Sequence, residues 1–442
     1  MVSLRRSFWI MVFEAFFGGF YFIVTRSLTP IYLVSIGYGL GDLLLFNCFA
    51  GLSSLLIAQY LKSLRYSGID VRVPLLIVHV LERIFWFSIP FLSRDKLLLT
   101  IVYSVAMLSS VPTSFFLNLS FYSLFSNKMY RRLLAGRTVL SSIASVIGQA
   151  VVITVLAFME RAKKFLLLYY IAFTVGLIAS ILLTLLPEIR AREPISRSGG
   201  EEEVRAINIY FLLVLLLSCS NLLSISWIPR LMRDLGVPDY FAALVGFTQT
   251  ISNIFMSMFW IRQRFIRYRY AVAGLAVTPL LVSIANNPYI HIPLAILYSF
   301  SLVGTNFFAS LVFSTIIHRI GAPKASILLS SSYSFALMIA SGLGYLVSTV
   351  PQLVFILACV FGFVGLVVAL TAIPELALLP PQYTRLYSRV LYMTSIAGYN
   401  FIVFTVSETV KTTLKLLALI FALILLFIIY RTIYYIIVLT GG

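Results

Sequence analysis

Residues 187–206 read PEIRAREPISRSGGEEEVRA. This is the longest hydrophilic stretch in a chain of 442 residues that is 61% hydrophobic and 11% charged. Its Pro, Gly, Ser and charges are the composition of a linker. Before it lie six apolar runs, at 8–34, 43–61, 73–92, 97–125, 138–158 and 165–186. After it lie six more, at 207–228, 240–261, 270–287, 291–317, 325–349 and 352–373. A helix needs about 20 apolar residues to cross a bilayer. Lipid offers the backbone no hydrogen-bond partner, so continuous runs of this length read as membrane helices. A transmembrane barrel would show short alternating segments instead. A thirteenth run, at 413–438, predicts an additional C-terminal transmembrane helix.

A soluble domain is about 25% charged, and mean hydropathy here is +1.01. That excludes a soluble globular protein and a disordered one. The first run is no cleavable signal peptide, since it is long, carries Glu14 and Arg26, and lacks a cleavage site after a short apolar core. Cys48, Cys219 and Cys359 each sit in an apolar run and read as packing residues.

The charges are lopsided, 33 Lys+Arg against 15 Asp+Glu, a net of +18. In a soluble chain such a surplus suggests nucleic acid. Here it sorts by loop. With the N-terminus taken as cytoplasmic, one set of loops carries Arg5 and Arg6; Lys62, Arg65 and Arg72; Lys128, Arg131, Arg132 and Arg137; and the linker arginines. The opposite loops carry fewer, with Arg161, Lys163 and Lys164 the clear dissent. Basic loops mark the cytoplasmic side. The sequence therefore predicts a multi-pass cell-membrane protein with a cytoplasmic N-terminus, membrane lipids for neighbours and no nucleic-acid partner. Pro374, Pro380 and Pro381 break the chain after the twelfth run. Residues 390–406 either span, adding a second extra helix, or lie in the interface. The interface placement is preferred, because it keeps Arg385, Arg389, Lys411 and Lys415 on the basic side. Tyr430 to Tyr435 look like an interface anchor, and the last helix offers a surface for a protein partner.

The linker follows the sixth run, so the two halves should resemble each other. Thr29-Pro30-Ile31-Tyr32-Leu33 leads to Gly37, as Ile228-Pro229-Arg230-Leu231-Met232 leads to Gly236. Ile101-Val102-Tyr103-Ser104 answers Ile296-Leu297-Tyr298-Ser299. Val175-Gly176-Leu177 before Pro187-Glu188 answers Val364-Gly365-Leu366 before Pro374-Glu375. Order and offset are shared throughout.

Six plus six helices, a cytoplasmic linker and this repeat resemble the major facilitator superfamily over residues 1–375. The motif match is partial. The stretch from Gln59 to Arg72 keeps the basic residues and Gly68 of the family's loop between helices two and three. It lacks the Asp that ends helix two there, and Lys62 stands nearby. Arg131-Arg132-Leu-Leu-Ala-Gly136-Arg137 is similar to the family's loop before helix five. The resemblance implies an all-α membrane protein with a six-helix bundle at 1–186, a linker at 187–206, a second bundle at 207–375 and an extension at 376–442. It also implies a substrate site between the bundles near the midplane. Helices one, four, seven and ten would line it, with helix three peripheral.

Charges within membrane helices cost about 2.5–3.5 kcal/mol each on insertion scales, so each needs a reason. Glu14 lies two turns into the first helix, where it is either a protonatable cavity group or a structural carboxylate. His79, Glu82 and Arg83 stand at i, i+3 and i+4 and share a face of helix three. They read either as an internal ion pair that fixes packing or as a proton relay with Glu14. Arg26 either snorkels to headgroups or receives an anionic substrate. Asp42 opens helix two as an N-terminal cap. Asn118, Asn221 and Asn306 fall on the implied cavity helices, and Phe17 and Tyr21 on helix one; these are candidate solute contacts.

Three dispersed His residues and no metal-ligand spacing predict no metal site. No phosphate-cradling Gly-rich loop is present, so direct ATP coupling is not expected; no cofactor is expected, and no convergent catalytic group is visible, so no enzyme activity is expected either. The expectation is a secondary transporter of a small solute working by alternating access, with proton coupling through Glu14. Export is favoured by an aromatic, amide-rich, carboxylate-poor interior. The alternative is a non-transporting scaffold or complex subunit that keeps the fold.

Overall fold

The computed structural model describes residues 2–63, 70–160, 163–189, 200–320, 322–373, 376–378, 380, 382–394 and 397. The first span begins as α1 (Val2–Phe22), continues through a π-helical turn (Ile23–Ser27) and ends as α2 (Leu28–Ser35). Then come α3 (Leu40–Ser63), α4 (Arg72–Leu92), α5 (Lys96–Leu124), α6 (Asn127–Phe158) and α7 (Lys164–Thr184). After the linker come α8 (Gly200–Pro229), with a second π-helical turn (Arg230–Asp234), α9 (Asp239–Trp260) and α10 (Tyr268–Ile284). The last are α11 (His291–Ile320), α12 (Ala322–Val347) and α13 (Pro351–Ala372). Among the described residues, eleven helical segments are long and apolar enough to cross a membrane. Helix α12, 26 residues long, has the length of a further span. All these helices belong to one compact unit, Met1–Arg389, and Val390–Gly442 forms a second. The expected helix at 413–438, Tyr430 to Tyr435, Lys411 and Lys415, and most of 390–406 lie outside the described residues.

Each of the first twelve apolar runs lies on a helix, with two informative differences. Helix α6 starts at Asn127, so Arg131, Arg132 and Arg137 are helical and not in a loop. The apolar pattern starts only where the charges end, but the backbone winds well before it. Helix α8 starts at Gly200, so the end of the 187–206 stretch is helix. Three glutamates follow that glycine, and negative charge is favoured at a helix N-terminus.

Helix packing follows from small residues and polar contacts, because lipid tails give helices no hydrophobic reason to associate. Helix α1 packs on α6 and α7, and α4 packs between α5 and α7. Helix α3 packs on α12, and α6 on α9. A Cβ added at Gly51 of α3 would stand 2.5 Å from the Met338 backbone nitrogen on α12, so only glycine permits that approach. Among the described residues, Gly37 and Gly236 are the two with positive φ, at 112° and 65°. They are also the two that the sequence repeat pairs, each ending the first span of its half.

At the end away from the N-terminus, early and late helices are joined by polar and apolar contacts. There Arg233 Nη2 donates to the Gly37 carbonyl at 2.5 Å. Lys164 is buried in an ion pair with Asp239 of α9, which explains a basic residue on the dissenting side. Leu40, Leu44, Leu222, Ala340, Val354 and Ala358 form an apolar cluster beside them. Asp42 is the third residue of its helix and not the cap itself: its Oδ2 accepts from Gly39 N at 2.8 Å, and its Oδ1 pairs with Lys96 at 2.5 Å. At the N-terminal end, Asp70 Oδ1 accepts from Ile189 N at 3.0 Å and Arg72 Nη1 donates to the Leu186 carbonyl at 3.1 Å. That stretch is thus tied to the end of α7.

Candidate functional site

A chain of charged side chains crosses the first-half helices. Helix α1 carries Glu14, which is buried. Arg137 of α6 donates through Nη1 to Glu14 Oε2 at 2.5 Å and to the Met11 carbonyl at 2.5 Å. The other carboxylate oxygen lies 3.4 Å from His79 Nε2 on α4. Arg83, one turn further on, places Nη2 2.9 Å from the same His79 nitrogen. Its Nη1 donates to Glu82 Oε2 at 2.9 Å. Arg26, in the π-helical turn, reaches Glu82 Oε1 at 3.4 Å. The order is Arg137, Glu14, His79, Arg83, Glu82, Arg26. The i, i+3, i+4 face of α4 is turned inward because α4 packs between α5 and α7.

Hydrogen-bond logic fixes the imidazole. Arginine only donates, so His79 Nε2 accepts from Arg83. Nδ1 then carries the hydrogen and gives it to Ser180 Oγ, 2.8 Å away. Ser180 Oγ donates onward to the Gly176 carbonyl at 3.2 Å. In this arrangement the imidazole is neutral. A proton arriving at Nε2 would set donor against donor at Arg83 and give Glu14 a cationic partner.

Aromatic faces brace the guanidiniums, as expected for cations drawn out of water. Arg83 lies 4.5 Å from the Tyr21 ring centroid and Arg137 4.6 Å from that of Phe121. Arg26 lies 4.5 Å from Phe22 and 5.4 Å from Trp86. All six residues of the chain line a cavity of about 1070 Å³, with Tyr21, Asn118, Ser114, Ser142 and, from α12, Tyr333. Ligand pockets are commonly about 300–1,000 Å³.

The structure brings Glu14, His79, Glu82, Arg83, Arg26, Tyr21 and Asn118 together and leaves the other candidates out. Helix three is not peripheral in its charge: it supplies three of the six ionic residues. Arg26 does not snorkel but sits on the cavity wall. Phe17 packs edge-on against Phe16 at 5.4 Å and is outside the cavity lining. Asn221 is buried on α8 and Asn306 exposed on α11, both away from this lining. A residue type alone gives no facing, and helix assignment is too coarse to supply it. Arg137 reads as a loop residue in the sequence, yet its guanidinium pairs with Glu14 at 2.5 Å.

Membrane-length helices in this packing order, with a charged cavity among them, define a multi-pass membrane protein with the major facilitator fold. Solved structures of very different sequence share it. A nucleoside transporter, NupG, in mutant form aligns with a TM-score of 0.65 at 12% identity, over 81% of this chain and 98% of its own. A D-xylose–proton symporter aligns at 0.62 and 13% identity, over 87% of this chain and 99% of its own. A bacterial metal transporter aligns at 0.56 and 14% identity, over 82% and 97%. No protein-family model and no curated protein matches the sequence.

Proposed function

We propose that this protein is a secondary transporter that moves a small solute by alternating access and couples that movement to protons. The observation that carries the reading is the ionic chain along one cavity wall. Ionisable groups at membrane depth are expensive and mark substrate or proton paths. A scaffold has no use for a cavity of about 1070 Å³ lined by six such residues. The coupling set is Glu14, His79, Glu82 and Arg83, and the solute contacts are Arg26, Tyr21 and Asn118. Two bundles, 1–186 and 207–375, rock about the cavity. With the N-terminus cytoplasmic, the cavity lies toward the cytoplasm and the far end is shut. Loading from that side is the direction of export.

The test uses purified protein in liposomes with an imposed pH gradient. Glu14→Gln should still bind solute and allow downhill exchange but lose proton-driven accumulation. If Glu14→Gln accumulates solute as the parent does, the coupling assignment falls. A stoichiometric copurifying protein together with no flux of any solute would favour the scaffold instead.

A further inference from the structure

The charges on the cavity wall do not cancel. Three guanidiniums, Arg26, Arg83 and Arg137, face two carboxylates, Glu14 and Glu82, and the imidazole between them is neutral. One positive charge is left over. Buried charges are ordinarily paired and hydrogen-bonded, so a surplus at this depth is not what a purely structural network would keep.

The surplus is localised. Arg137 and Arg83 each meet a carboxylate at hydrogen-bond distance, 2.5 and 2.9 Å. Arg26 has a single polar contact, at 3.4 Å, to a carboxylate already engaged by Arg83. Its Nε–H is buried without a partner, and so is the Nε–H of Arg83 behind it. The Arg26 side chain nonetheless keeps 20% of its surface open, onto the cavity. A guanidinium with unused donors on a rigid aromatic seat of Phe22 and Trp86 is built to take an oxyanion two-pronged. The rest of the wall is uncharged but hydrogen-bonding: Asn118, Ser114 and Ser142 face the same space.

We propose that the cavity takes a solute with one negative charge on a hydroxylated body, a polyhydroxy monocarboxylate in chemical class, with its oxyanion on Arg26. The proposal rests on the transport reading only for the word solute; the binding itself is independent of transport. Tyr333 of α12 also lines the cavity, so its occupant meets helices from both ends of the sequence. The anion also competes with Glu82 for Arg26, which leaves Glu82 with Arg83 alone.

The experiment is equilibrium binding, by calorimetry, to the full chain in detergent. Gluconate, glucose and glucosamine share a six-carbon body and differ in charge; glucose 6-phosphate, shikimate and quinate complete the panel. At least one monocarboxylate should bind, with glucose and glucosamine silent. Arg26→Gln should weaken that binding about ten- to a hundredfold, the worth of a hydrogen bond to a charged group. Arg26→Lys, which keeps the charge and loses the fork, should fall between. Glu82 retains Arg83 in these variants, so folding is preserved, and an unchanged melting temperature without ligand checks that. Binding of glucose or glucosamine in preference to the acids, binding untouched by Arg26→Gln, or no acid binding at all would each overturn the proposal. Tighter binding of the phosphate ester than of every carboxylate would overturn the single-charge assignment. Binding of an acid with no flux in liposomes would sink the transport reading and leave this one standing; flux of a neutral solute would do the reverse.

Discussion

At the scale of single residues, Arg137 and Glu14 matter most to one another. Glu14 is buried and its carboxylate is held by Arg137. Removing one partner of a buried ion pair strands the other, at a cost of about 3–5 kcal/mol. Arg137→Ala should therefore lower the melting temperature of the purified protein sharply. Adding Glu14→Gln to that variant should recover most of the loss, because the stranded charge is gone. A double variant no more stable than Arg137→Ala would show that the pair is not what holds α6 on α1. Glu14 and the α4 triplet stand out in the sequence because charge in an apolar run is costly and hence conspicuous. Arg137 does not, because it sits among Lys128, Arg131 and Arg132 in what looks like an ordinary basic loop. The asparagines are ambiguous for the opposite reason: an amide is cheap enough to appear anywhere, and Asn47 simply accepts from the Tyr103 hydroxyl at 3.0 Å.

At the scale of elements, hydropathy placed nearly every helix to within a few residues but not its facing. A span hydrophobic all round carries little information about which side meets lipid and which side meets a neighbour. Glycines carry some of it. At Gly51 the α3 backbone meets the α12 backbone, and backbone cannot swing aside as a side chain can. Gly51→Val should push the two helices apart and cost about 1–3 kcal/mol, the usual price of overpacking. A lower melting temperature in detergent, with helical content by circular dichroism unchanged, is the expected result; an unaltered melting curve would contradict the close approach. The π-helical turn at Ile23–Ser27 could not be read from sequence at all. Such turns are frequent at functional sites, and this one carries Arg26.

At the scale of the whole molecule, the joined far end and the cavity toward the N-terminus are what the proposed alternating access would require of one of its two states. The joint can be trapped. A Cβ built on Gly41 of α3 stands 3.8 Å from the Ser348 Cβ just past α12, which matches the spacing of a disulfide, about 3.5–4.5 Å. Gly41→Cys with Ser348→Cys, in a chain whose Cys48, Cys219 and Cys359 are replaced by Ala, should cross-link under mild oxidation. The oxidised protein should still bind solute from the cavity side, since that side is untouched, yet carry none across the bilayer. Reduction should restore flux. Retained binding separates a locked molecule from a damaged one. Full flux through the cross-linked protein would mean that the far end never parts, and that solute moves, if at all, without the two halves rocking.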